Sequence, residues 1–172
     1  MPAYGACLLG SLNLARFVED PFTPQARLDT EALAGLVPDA VRLMDNIIDI
    51  SGFPLPQQQE EATKKRRIGL GVTGLADALI LCGLRYGSPD AVAKTEEWLG
   101  AIQHAAYLAS ADLAAEKGAF PLFERERYLA SETVIALDAE VRACIARQGI
   151  RNALLTSVAP TGTISLFADN VS

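Results

Sequence analysis

Three short apolar segments, residues 8–18, 68–74 and 153–159, are the strand candidates of this 172-residue chain, and most of what lies between them has helical character. This alternation restricts the fold more than any other feature, because strands separated by helical stretches pair in parallel through helical crossovers. Three strands do not complete such a sheet, which needs cover on both faces and neighbours at both edges. The expectation is an α/β chain, one unit over residues 1–172, that supplies part of a larger sheet or barrel.

The helical stretches carry their own start and stop signals. Leu33, Leu36, Val37, Ala40, Val41, Met44, Ile47 and Ile48 share one face, with Asp29 or Thr30 placed to cap it. Pro38 falls inside this pattern, so the stretch is either one kinked helix or a short helix followed by a longer one ending near Ile50. Gly52, Pro54 and Pro56 close it, and the polar run that follows has good helix propensity without an apolar face. Ser88-Pro89 opens, and Gly118 ends, a long alanine-rich helix. A further helix is expected over residues 131–148, with Val134, Leu137, Val141 and Ile145 facing inward and Gly149 as terminator.

Half of the residues are hydrophobic and 21% are charged, an ordinary globular composition that excludes intrinsic disorder. A formal charge of −6 argues against a bulk basic surface for nucleic acid or anionic membranes. No apolar run reaches the roughly 18 residues of a spanning helix. Cys7, Cys82 and Cys144 stand far apart beside a single histidine, His104, which gives neither a zinc site nor a disulfide framework. No metal is expected, and a reduced, cytoplasmic setting fits.

Several motifs have both a chemical and a structural reading. Gly69, Gly71 and Gly74 match the GxGxxG pattern of dinucleotide sites, but Thr63 to Arg67 stand where that fingerprint needs a buried strand, which favours tight turning and close packing. Pro160, Thr161, Gly162, Thr163, Ile164 and Ser165 follow an apolar strand and bring three hydroxyls and a glycine to the point where a helix can begin. Free backbone N–H groups and the helix dipole there suit a phosphate, while the same hydroxyls could equally cap the helix. Cys7, between Gly5 and Gly10, is either a small core residue or a thiol open to a cavity. Cys82 and Cys144 are expected to pack, His104 to lie at the surface or its boundary, and the run Lys64 to Arg67 to form a solvated face, with contact to a phosphorylated ligand as its alternative.

Four blocks taken in order, Gly5 to Leu14, Leu43 to Asp49, Arg67 to Asp77 and Ala159 to Ser165, resemble the large catalytic subunit of ribonucleotide reductase. The Pro-Thr-Gly-Thr-Ile-Ser form of the last block is most similar to the adenosylcobalamin-dependent type. The resemblance implies a ten-stranded α/β barrel of which this helix-rich chain supplies a part. It implies that Cys7 is one half of the redox pair that donates two electrons as the ribose 2′-hydroxyl leaves, and that Pro160 to Ser165 hold the substrate phosphates. It also implies a ribonucleotide substrate, adenosylcobalamin as cofactor, a thiol reductant such as thioredoxin, and a homodimeric parent enzyme.

In the family, an Asn-x-Cys-x-Glu loop carrying the radical cysteine precedes the residues matched by Tyr4 to Cys7. This sequence does not contain it, so the chain by itself is expected to be inactive. Thiol and phosphate loop are expected to face one cavity wall. Two other classes remain as alternatives: a stand-alone nucleotide-binding module built on Gly69 to Gly74, and a helical interaction domain presenting the long helix from Ser88 to Lys117.

Overall fold

A computed structural model describes residues 3–172. Its centre is a parallel pair, β1 (Leu8–Asn13) and β4 (Ile68–Thr73), in the register Leu8 opposite Ile68 through Asn13 opposite Thr73. Between them in sequence lie β2 (Val18–Glu19) and β3 (Arg27–Leu28), a two-residue antiparallel pair. The expected first strand is therefore cut short: after Asn13 the chain winds into a 3-10 turn, Leu14–Phe17, that buries Leu14. The third strand is reduced to one parallel bridge, Leu70 with Thr156. Around that bridge Ile68 and Leu70 donate to the carbonyls of Leu154 and Leu155, and Ser157 donates back to Leu70. The order across the sheet is thus β1, β4, then residues 153–157, and no closed barrel forms among the described residues.

The helix α1 (Thr30–Ile50) runs unbroken through Pro38. Asp29 caps it by accepting from Ala32 N at 2.9 Å. An interior proline costs about 3 kcal/mol. Leu33, Val37 and Val41 are fully buried while Pro38 is exposed, and at about 1.5–3 kcal/mol each their burial outweighs that cost. The sheet lies against α1 on one face, where Gly10 leaves room for Met44: a Cβ there would stand 3.1 Å from the Met44 sulfur.

Beyond α2 (Pro56–Lys65) and α3 (Leu75–Leu81) comes α4 (Pro89–Lys117), started by Ser88 accepting from Ala91 N and ended at Gly118. Trp98, Ile102, Ala106, Tyr107, Ser110 and Leu113 are buried along it, so α4 is the spine of the helical layer rather than a free contact surface. Two short helices follow, α5 (Arg125–Leu129) and α6 (Glu132–Ile135), then α7 (Ala139–Gln148) and α8 (Gly162–Phe167). The single helix expected over 131–148 is broken because Asp138 takes a non-helical conformation and caps α7 through Val141 N. The inner face survives the break: Val134, Leu137, Val141 and Ile145 are all buried.

A second correction concerns the basic run. Arg66 is buried and sits at φ +47° as the residue that turns α2 into β4. Its guanidinium donates to Asp45 at 2.7 Å and to both oxygens of Asp49 at 2.7 and 3.0 Å. Asp45 also accepts from Arg151 at 3.2 Å and from Asn152 at 3.0 Å, and Asn152 accepts in turn from Ser110 of α4 at 2.9 Å. Burial alone would push the Asp45 carboxyl up, but Arg66 and Arg151 hold it below its ordinary value. A buried charge set is tolerable only when each member is satisfied, and this one ties α1, the head of β4, α4 and residues 151–152 together.

Candidate functional site at the two ends of the sheet

Cys7 stands one residue before β1 at the N-terminal end of the parallel strands. Leu8 N donates to the Arg67 carbonyl at 3.3 Å, which brings the residue before β4 alongside. Cys7 and Arg67 line a cavity of 130 Å3 with Ala6, Leu8, Ile48, Ser51, Phe53 and Ala62. The thiol is half-buried; burial pushes its pKa up and the Arg67 charge pulls it back. Cys144 is buried on α7 and donates to Gln148 at 2.7 Å, and Cys82 packs against the core at the end of α3.

Residues 160–165 lie at the other end, beyond the C-terminal edge of the sheet. Thr161 adopts φ +53° and precedes α8, whose first ladder bond is Ser165 N to Thr161 O at 2.8 Å. The N–H groups of Gly162, Thr163 and Ile164 therefore come before the ladder, as at any helix start. Thr161 makes no side-chain cap bond. Ser165 turns its hydroxyl onto the Gly162 carbonyl at 2.8 Å, and Thr163 is exposed. A Cβ at Gly162 would meet nothing within 4 Å, so the approach to this turn is open. The cavity that Cys7 lines includes none of residues 160–165, so among the described residues thiol and turn are not brought to one cavity wall.

A polar clamp that sequence patterns did not single out holds the exit of α8 against the strand ends. Asn13 donates to Ala168 O at 3.2 Å, and Thr73 donates to Asn170 Oδ1 at 2.8 Å. Gly74 N bonds Val171 O, and Val171 N bonds Asp77 Oδ2, both at 2.8 Å. Gly74 is at φ +70°, a conformation that favours glycine.

The glycine triplet does not form a nucleotide loop. Gly69 and Gly71 lie within β4, and a Cβ at Gly71 would come within 2.5 Å of the Ser157 carbonyl. They are small because residues 153–157 press on the strand, the packing use that their context favoured. His104 on α4 meets Asp138 at 2.6 Å and Glu140 at 3.7 Å, partners from α7 that no local pattern could pair with it. The Val141 N–H first, and then His104, hold the Asp138 carboxyl below its ordinary range.

A helix-backed parallel sheet with a thiol at one end and a hydroxyl-bearing turn at the other has a counterpart among known families. The ribonucleotide reductase barrel domain matches residues 2–172, and the chain belongs to that family. Among its relatives, a vitamin B12-dependent ribonucleoside-diphosphate reductase of Mycobacterium tuberculosis is 43% identical over 166 residues, covering 96% of this chain and 21% of the relative. The protein of that name from Thermoplasma acidophilum is 34% identical, over 96% of this chain and 19% of its own length. A ribonucleoside-diphosphate reductase subunit alpha of Chlamydia pneumoniae is 31% identical, over 92% of the chain and 17% of its own length. The chain thus spans about a fifth of the length of the relatives it matches. No helix is long and apolar enough to cross a membrane among the described residues.

Proposed function

We propose that this chain is the part of a ribonucleoside-diphosphate reductase barrel that carries a reductant thiol and the substrate-phosphate turn. The reaction converts ribonucleotides to deoxyribonucleotides by thiyl-radical chemistry, within a ten-stranded α/β barrel completed by other parts of the enzyme. The observation that carries this reading is the turn at residues 160–165. It follows the third parallel segment at the C-terminal edge of the sheet, the side on which open α/β sheets bind ligands. Its leading amides and the exposed Thr163 are not used by the fold. In this role Thr161, Gly162, Thr163 and Ile164 supply donors to phosphate, while Pro160 and Ser165 shape the turn.

Cys7 serves as one of two thiols that together give up two electrons and form a disulfide as the 2′-hydroxyl departs as water. A thioredoxin-like dithiol restores them. Adenosylcobalamin, a form of the vitamin B12 on which two of the relatives depend by name, supplies radical initiation when bound. The residues of this chain do not fit that cofactor themselves. His104, its one imidazole, is engaged by Asp138 and Glu140 in the helical layer, and the cavity beside Cys7 is far smaller than a corrin. A cytoplasmic homodimer is the setting this reading assigns.

The test is a chimera in which residues 2–172 replace the matched segment of the Mycobacterium tuberculosis relative. Given adenosylcobalamin, ribonucleoside diphosphate and the dithiol protein reductant, it should form deoxyribonucleotide. Cys7→Ser should abolish multiple turnover, and Thr163→Ala should raise KM more than it lowers kcat. A folded chimera that makes no product, or a Cys7→Ser variant turning over undiminished, overturns the reading.

A further inference from the structure

The Cys7 cavity holds a cation that the fold uses only in part. Arg67 is nine-tenths buried, with 10% of its side chain exposed, and its Nη1 has no hydrogen-bond partner among the described residues. The carboxylate paired with it, Glu61 of α2, stands 3.6 Å away, within ion-pair range but beyond hydrogen-bond distance, and already accepts from Lys65 at 2.6 Å. Asp45 and Asp49 of α1 are taken by Arg66. Of the residues lining the cavity, only Cys7 and Arg67 can carry a charge. A buried guanidinium whose carboxylate partner stands at 3.6 Å and is shared with Lys65 is incompletely compensated, and an anion in the same cavity completes it.

We propose that Arg67 is a positioning residue for Cys7: it stabilises the Cys7 thiolate across this cavity and makes that sulfur the better leaving group when its disulfide is opened. In that step the thiolate of a dithiol reductant attacks the sulfur bonded to Cys7. A new S–S bond forms there, the old one breaks, and Cys7 departs as thiolate next to the guanidinium. The leaving-group role rests on the reductase reading; the effect on the thiol does not.

The experiment is therefore alkylation of the full chain by iodoacetamide as a function of pH, with no substrate or cofactor, read at each cysteine by peptide mass spectrometry. Cys82 and Cys144 serve as internal comparators. Arg67→Met should move the Cys7 midpoint to higher pH and slow alkylation below it by about tenfold for each pH unit moved. Arg67→Lys should keep the midpoint close to that of the parent chain. An unmoved Cys7 midpoint in Arg67→Met with both comparators unchanged overturns the proposal. Should Arg67→Met unmask Cys144 and so report lost folding, Glu61→Gln decides. Removing the carboxylate that competes for Arg67 should lower the midpoint, and a midpoint that stays put overturns the proposal.

Discussion

Arg66 and Arg67 follow one another in sequence and meet opposite environments. Arg66 turns inward at a left-handed position and has its guanidinium bonded by two aspartates, one of which is shared with Arg151 and Asn152. Arg67, the residue before β4, lines the small cavity of Cys7 with one nitrogen that makes no hydrogen bond. The helical side of the sheet is closed and its polar groups are matched. The strand ends are left with groups that still have bonds to make. Buried charge is stable only when compensated, so compensated sites hold the fold, and incomplete ones are where chemistry or a partner is to be sought.

The contrast breaks most visibly at Asp45. Asp45→Ala leaves Arg66 and Arg151 facing no carboxylate at that point and should lower stability by about 3–5 kcal/mol, read as a fall in the urea midpoint. The Asp45 carboxyl is depressed in the folded chain, so its contribution is complete above the ordinary aspartate value and lost as pH falls through the depressed one. The urea midpoint should drop along this acid limb, and Asp45→Asn should flatten that part of the profile.

A smaller effect is expected where residues 153–157 press on β4. Gly71→Ala sets a Cβ against the Ser157 carbonyl, which is backbone and cannot swing aside, so about 1–3 kcal/mol should be lost. Gly69→Ala meets the end of the Leu9 side chain and the Ser157 hydroxyl, which can rotate, with the Ser157 Cβ at 3.1 Å, and should cost less because no backbone atom blocks it. Equal costs would mean that the third segment is not held as described. The mildest effect belongs to the clamp on α8: Thr73→Val removes the bond to Asn170 and should cost about 1 kcal/mol. In the chimera it should raise KM for the nucleotide while leaving kcat nearly unchanged, because only the position of the turn is disturbed.

Much of the helical layer was legible because its signals are short-range. The face of Leu33, Val37, Val41 and Met44, the Asp29 cap and the Ser88 and Gly118 boundaries each involve residues within one or two turns. The break at Asp138 carried a local signal too, an N-cap aspartate, that a continuous apolar face concealed. Residues 153–159 were harder to read: their apolar character signals burial, yet Val158 is almost fully exposed and only one bridge forms. The candidate site divides in the same way. The turn at 160–165 and the thiol at Cys7 are singled out as candidates by residue type and order. The Arg67 cavity and the Asn13, Thr73 and Asn170 clamp have no periodicity to announce them.

What the chain determines by itself is where helices start and stop, which faces are apolar, and the order of four blocks that identifies its family. What only tertiary structure decides is the fate of its charges. Asp45 and Asn152 are 107 positions apart and bond at 3.0 Å, while two adjacent arginines part company entirely. Capping and periodicity act over a few residues along the backbone. Charge compensation acts through space at hydrogen-bond distance, and nothing in the spacing of a sequence fixes which distant group will arrive there.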